Sequence, residues 1–321
     1  MKTGDPQLLI IGDICVDLIM GELAAWPKRG TETLLDYHEL RAGGAAANTA
    51  LAAYYLGQPV QLISAVGNDF FGSWLQQQLQ KLQPGLASVE AATTVTVGLV
   101  HSDSERSFLT TQGHLNHLNY DTVLAQLPAT VPVGSLALLS GVFLTPALRC
   151  DYLSLMQHLQ QAGYQLAIDT NWPGEGWSAT LRSEMLSWLA LCDHILLNDL
   201  EVMHLTECES LPQALRQLQS HLKANASLVV KQGAAGATGV QQQTPVSVAA
   251  QRVSVYDTIG AGDSFNAGYL LARLAGADLS QALRSGCQTA SAVVARAKRS
   301  EIQAGEFAAF LSAKFKTEEA A

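Results

Sequence analysis

Asp263 is the residue of this chain best placed to do chemistry. It closes the turn Asp257-Thr258-Ile259-Gly260-Ala261-Gly262-Asp263 and stands at the start of an apolar helix expected over 264–274. Gly260, Ala261 and Gly262 carry little or no side chain, so their N–H groups can approach an anionic oxygen, and the helix dipole points its positive end there. A carboxylate beside such a turn can take the proton of a hydroxyl while the N–H groups hold the charge growing on a transferred phosphoryl group. An Asp ahead of an apolar run is also an ordinary helix cap, and the turn alone does not separate the two readings.

A second glycine-rich element, Ala42-Gly43-Gly44-Ala45-Ala46-Ala47-Asn48-Thr49-Ala50, lies far upstream and leads into a helix. Gly43 and Gly44 let backbone approach a polyol, and Asn48 offers a donor and an acceptor from the first helical turn. The chain has neither a Gly-x-x-x-x-Gly-Lys-Ser/Thr loop nor a strand-adjacent Gly-x-Gly-x-x-Gly, which argues against a P-loop ATPase and a dinucleotide enzyme.

With both elements present in this order, the chain resembles the ribokinase-like carbohydrate kinases, the PfkB family, over nearly its whole length. The resemblance implies Asp263 as catalytic base, 260–262 (Gly260, Ala261, Gly262) as anion hole, and Gly43, Gly44 and Asn48 as sugar contacts. It implies a doubly wound, mostly parallel α/β sheet flanked by helices, with a small β-sheet lid that closes over the sugar and often mediates dimerisation. ATP and Mg²⁺ are the implied cofactors. Asn198 and Glu201, in Asn198-Asp199-Leu200-Glu201, match the family's Asn-x-x-Glu and would order Mg²⁺ through its waters, although the same spacing makes a helix cap. Lys231, Gly233 and Gly236 fall where relatives approach the nucleotide phosphates. The lysine would bring charge there or, as a strand-end residue, point to solvent.

Three departures from the family pattern stand out. Cys15 occupies a position where several relatives carry Asn; no Arg follows Asn171 in the segment 169–177; and a helix-like run over 290–300 replaces the usual C-terminal loop. The last bears on a K⁺ site, for which carbonyls around Asp257 and Ile259 are the candidate ligands.

The elements that must hold these groups can be read from periodicity. Leu8-Leu9-Ile10-Ile11-Gly12 is a buried parallel strand. The extended chain after it puts Asp13, Cys15 and Asp17 on one side; the resemblance implies that the polar positions here hold sugar hydroxyls, with Asp17 as a sugar contact and Asp13 either a contact or a turn cap. Alternating stretches over about 17–41 and 93–113 read as strands, with a hairpin turn at Ser102-Asp103-Ser104-Glu105, and the resemblance implies that together they form the lid. Arg106 and His114 could reach substrate from it, or Arg106 could simply solvate the hairpin. From about Asp121 onward helices alternate with short apolar strands, and no linker divides the 321 residues, so one kinase domain over 1–321 is expected, ending in a frayed tail over 316–321.

Composition excludes several other classes. A net charge of −9 without a basic stripe argues against nucleic-acid binding. No apolar run spans a bilayer and the start is no secretory signal, so a cytoplasmic location is expected. The five dispersed cysteines read as free thiols, and the eight histidines show no metal-ligand spacing. The sequence therefore predicts an ATP-dependent kinase acting on a primary hydroxyl of a hexose or keto-sugar such as fructose or 2-keto-3-deoxygluconate. A nucleoside kinase of the same fold and a non-catalytic sugar-binding regulator are the alternatives.

Overall fold

The computed structural model describes residues 4–102, 106–242, 244–297 and 299–312. Its main sheet begins with β1 (Leu8–Gly12), whose residues are all buried and alternate between two cores: Leu8 and Ile10 on one face, Leu9 and Ile11 on the other. Burial on both faces is what a continuous apolar run demands of a central parallel strand.

The lid strands β2 (Cys15–Leu23) and β3 (Tyr37–Gly43) follow, then α1 (Ala45–Tyr55), β4 (Val60–Gly67), α2 (Phe70–Leu79), β5 (Gly85–Val89), β6 (Val95–His101) and β7 (Arg106–Thr110). The regular part runs α3 (Tyr120–Leu124), β8 (Leu136–Ser140), α4 (Pro146–Cys150), α5 (Tyr152–Gln161), β9 (Gln165–Asp169), α6 (Ala179–Leu189), β10 (His194–Asn198), α7 (Asp199–Thr206), α8 (Leu211–Gln219) and β11 (Ser227–Lys231). The chain closes with β12 (Ala237–Gln241), β13 (Thr244–Val248), α9 (Ala261–Leu274), α10 (Leu279–Val294) and α11 (Ala309–Ser312).

The strand order is β13-β12-β11-β10-β9-β8-β1-β4-β5, parallel from β5 to β11, with β12 and β13 antiparallel at one edge. Register brings the strand ends to one side of the sheet: Gly12 pairs with Ser140, Ser140 with Asp169, and Asn198 with Lys231. Open α/β sheets bind ligands at such carboxyl ends, and here the order changes direction at β1. A side chain at Gly12 would overlap the Ser140 carbonyl, so only glycine lets the chain turn out of the sheet there.

The second sheet, β3-β2-β6-β7, occupies the two alternating segments expected to form the lid, with β2 and β6 parallel at its centre. The turn expected at the tip of its hairpin falls, from residue 103 on, outside the described residues, as does the tail over 316–321. On one face of the main sheet α9 and α10 pack closely, because a side chain at Gly268 would overlap Thr289 and one at Gly286 would press on Phe265. The capping box of Asp278 and Gln281 starts α10.

Candidate active site

The turn at 257–263 opens α9 as the sequence predicts, with the helix beginning three residues earlier, at Ala261. Gly260 is the N-cap residue at φ 72°, a left-handed conformation that favours glycine, and no side chain caps the helix. The Ala261 N–H donates to the Thr258 carbonyl at 3.2 Å, and the next N–H groups of the first turn, those of Gly262 and Asp263, are left to a ligand or to solvent. Asp263 is half-buried in that turn and accepts a hydrogen bond from Asn48 Nδ2 at 3.0 Å. Burial and the nearby Asp169 carboxylate push its pKa up to about 8, against the opposing pull of Lys231 and the Asn48 hydrogen bond.

The N-terminal candidates gather beside it. Asp13 is fully buried; its Oδ2 accepts from the Ala45 N–H at 3.1 Å while its Oδ1 has no partner. Burial raises its pKa to about 6, with backbone hydrogen bonds opposing. Asp17 is raised as well, chiefly by burial, and Cys15 Sγ donates to its Oδ1 at 3.2 Å. The Cys15 thiol thus spends its one weak donor on the neighbouring carboxylate, and Thr96 Oγ1 donates to the thiol in turn at 3.6 Å.

Gly43 and Gly44 serve a purpose the sequence reading missed. A side chain at Gly43 would overlap the Asp17 carboxyl, and one at Gly44, where φ is 90°, would lie 2.6 Å from the Asp13 carbonyl. The pair lets the lid strand and α1 close onto the two aspartates. Among the N-terminal candidates, Arg106 is not brought in. It pairs with Val100, four residues along β6 from Thr96, which puts it roughly 14 Å up the strand. His114 is fully buried beneath the lid, where its Nδ1 accepts from the Thr94 N–H at 2.9 Å and burial lowers its pKa to about 4.

On the other side of Asp263, Lys231 does not point to solvent. Its Nζ pairs with Asp169 Oδ2 at 2.6 Å, lies 3.4 Å from Asn266 Oδ1, and would be 3.4 Å from a side-chain carbon at Gly262. Asn266 Nδ2 also donates to Asp169 Oδ2, at 2.5 Å. Burial opposes the charge on Lys231, but Asp169 and Glu201 outweigh it and hold the ammonium protonated. Asp169 is thus a site residue that motif reading passed over, although a carboxylate ending a buried strand is a signal in its own right. Beyond it Asn171 takes φ 62°, and Trp172 packs on Trp177 and His204 with ring centroids 5.5 and 5.1 Å away.

Asn198 and Glu201 do form a capping box: Asn198 Oδ1 accepts from Glu201 N and Glu201 Oε2 from Asn198 N, both at 2.8 Å. Glu201 is nonetheless buried, and burial together with the Asp169 charge raises its pKa. The Asp169 charge raises both Glu201 and Asp263 while Lys231 opposes it at each, an excess of negative charge that a divalent cation would relieve. Among the described residues no group of three His, Cys, Asp or Glu is close enough to cage a metal; the Glu201 carboxylate and the Asn198 side chain are the groups that would order the waters of a Mg²⁺. Gly236 permits close contact with the Val248 carbonyl, whereas the position of Gly233 faces open space.

The family model for the pfkB family carbohydrate kinases matches residues 5–302. The chain belongs to that family. This pfkB kinase is therefore a phosphotransferase acting on an alcohol group. It is 26% identical over 295 residues to a nucleoside kinase of Methanothermobacter thermautotrophicus, covering 90% of each chain. It is 27% identical over 279 residues to a fructokinase of Vibrio alginolyticus, covering 82% of this chain and 83% of that one. Its fold superposes on ribokinase from Giardia lamblia with a TM-score of 0.78 at 19% identity, covering 94% of this chain and 98% of that one. Adenosine kinase from Sinorhizobium meliloti gives 0.75 at 22%, with coverage of 95% and 99%.

In this pfkB kinase the helix expected to run through 290–300 ends at Val294, and the chain returns through a short 3₁₀ turn, Arg299–Glu301, toward the loop at 257–260. Arg299 Nη2 donates to the Asp257 carbonyl at 2.9 Å, and Arg41 Nη1 pairs with Asp257 Oδ2 at 2.7 Å. Burial pushes the Asp257 carboxyl up, but the two guanidinium groups outweigh it and hold it below the usual carboxylate range. Ile259 meets the same residue through its N–H, which donates to Asp257 Oδ1 at 2.8 Å. Neither arginine belongs to a motif; only the fold brings them to Asp257.

Proposed function

We propose that this pfkB kinase transfers the γ-phosphoryl group of MgATP to a primary hydroxyl of a hexose or keto-sugar, fructose or 2-keto-3-deoxygluconate being the first candidates. The observation that carries the reading is Asp263, held by Asn48 at the uncapped N-terminus of α9 with Lys231 beside the same turn. Asp263 takes the hydroxyl proton as the substrate oxygen bonds to the γ-phosphorus and the bridging oxygen leaves with ADP. The N–H groups of Gly260 and Gly262 face the charge that builds on the transferred group, that of Ala261 being held by the Thr258 carbonyl; Lys231 neutralises the phosphates, and Asn198 and Glu201 would hold Mg²⁺ through its waters to share that charge. Asp13, Asp17 and Asn48 hold the sugar hydroxyls, and the unpartnered Asp13 Oδ1 is an acceptor left for one of them.

A nucleoside acceptor is the second reading, favoured by the similarity to the Methanothermobacter enzyme over most of both chains. The sugar-binding regulator loses ground, because a binding protein has no use for a base at the anion hole. The whole chain is taken to act as one kinase unit in the cytoplasm, and no helix among the described residues is long and apolar enough to cross a membrane. Pairing of two lids into a homodimer is supported by the exposed Leu34, Phe108 and Leu109 on lid segments.

Mg·ATP-dependent ADP release across hexoses, pentoses, keto-sugar acids and nucleosides, with Asp263→Asn as blank, tests this reading. Turnover confined to a sugar supports it, turnover confined to a nucleoside selects the second reading, and sugar binding without turnover returns the regulator.

A further inference from the structure

The loop that forms the anion hole carries its own cation. The Asp257 carbonyl, a candidate ligand for K⁺, accepts instead from Arg299 Nη2 at 2.9 Å, and the same nitrogen lies 3.4 Å from Asp257 Oδ2. Arg299 Nη1 approaches Gly260 from the same side, 3.2 Å from where a side-chain carbon would stand. Arg299 is 8% exposed, and its own carbonyl accepts from the Tyr55 hydroxyl at 3.3 Å, so the guanidinium is anchored from both ends.

The surroundings suit a fixed guanidinium and do not fit an added alkali ion. Arg41 supplies a second positive charge at Asp257, and the two guanidinium groups face the carboxylates of Asp257, of Glu39 at 3.5 Å from Arg41 and, farther off, of Asp17. Of the buried side-chain atoms without a partner here, Arg41 Nη2 and Arg299 Nε are donors, which repel a cation; only Thr258 Oγ1 can accept. Both arginines line a small cavity of about 80 Å³ beside Asn48 and Ser264, whose remaining basic residue is Lys81. A third cation placed there would face two guanidinium groups in a poorly solvated space.

We propose that Arg299 is the resident cation of the anion-hole loop, holding 257–260 in its ligand-ready shape, and that the protein has no requirement for K⁺ or another monovalent cation. Arg299 acts as a positioning residue: it orders the backbone that meets phosphate and touches no reacting atom. The inference rests on the kinase reading for its rate measurement alone, because the loop's cation preference also shows in the stability of the free protein.

The test compares KCl with choline chloride at matched ionic strength of about 0.1 M, where screening is equal. The melting temperature of the free protein is expected to be the same in both salts, and phosphoryl transfer to agree within about twofold. A saturable rise in melting temperature with K⁺ marks a bound ion and overturns the proposal whether or not a substrate has been found. Arg299→Met is expected to slow transfer about 10- to 100-fold, as loss of an orienting group does, and to gain a response to K⁺ or to millimolar guanidinium that the natural protein lacks. Arg299→Lys keeps a charge at the loop and guards against a folding defect; it is expected to stay insensitive to K⁺. An Arg299→Met protein that folds, works at the natural rate and ignores both ions also overturns it.

Discussion

Asn48 and Asp263 stand 215 positions apart, and the amide nitrogen of one donates to the carboxylate of the other at 3.0 Å. The contact joins the two glycine-rich elements through their polar residues, so the carboxylate proposed as base and the amide that steadies it come from distant parts of the chain. It also opposes the burial and the Asp169 charge that keep Asp263 protonated, since a donor to the carboxylate favours the ionised form.

Because the Asp263 pKa is raised to about 8, kcat/KM is expected to climb with pH up to that region and to shift to lower pH when Mg·ATP saturates the site. The linked stability has the opposite sign. The folded state holds the proton more tightly than the unfolded chain, so the contribution is full below about pH 4 and lost as pH rises toward 8. Asp263→Asn should lower the rate about 10²- to 10⁴-fold while raising stability at pH 8 by about 1 kcal/mol, read as a higher melting temperature with sugar affinity retained.

Lys231→Gln removes the one cation among Asp169, Glu201 and Asp263. Breaking a buried pair from one side costs about 3–5 kcal/mol when the remaining charge cannot relax. A proton taken up by Asp169 or Glu201 should limit the loss to the lower end of that range. Denaturant unfolding at pH 6 and pH 8 checks this, the larger loss being expected at pH 8, and KM for ATP should rise along with it.

Gly43→Ala should cost about 1–3 kcal/mol by overpacking against Asp17, and it should raise KM for the acceptor with less effect on that for ATP. The split between the two KM values separates a disturbed acceptor side from general unfolding.

Glu201→Gln keeps an acceptor for the Asn198 N–H, so the capping box survives and thermal stability should change little. The concentration of Mg²⁺ giving half-maximal rate should rise about 10-fold, as expected when a charge ordering the metal's waters is lost. An unchanged Mg²⁺ titration would leave Glu201 as a cap alone.

Much of this was legible in the sequence. The run Leu8-Leu9-Ile10-Ile11-Gly12 names a central strand because only burial on both faces tolerates it, and the two alternating segments name the lid. The Asp169–Lys231 pair and the two arginines on Asp257 were not legible, because ion pairs between distant segments leave no periodicity to read. The Ala-rich stretch after residue 290 has the propensity to continue as helix, yet it stops at Val294. Turning there lets Arg299 reach Asp257, and tertiary contact overrides local preference. For Gly43 and Gly44 the sequence signalled close approach correctly but not to what: the nearest groups are the protein's own aspartates.

The placement of α9 has a consequence for how the protein is made. α1 and β1 emerge early from the ribosome, yet Ala46, Ala50, Leu8 and Ile10 share a core with Phe265, Tyr269 and Leu270, which are synthesised more than two hundred residues later. Until the last fifth of the chain exists, that face of the parallel sheet is covered only in part, by α1 and α2, a state prone to aggregation and slow to resolve. Newly made chains are thus natural clients for chaperones, and a message truncated before α9 should yield insoluble protein instead of a weak enzyme.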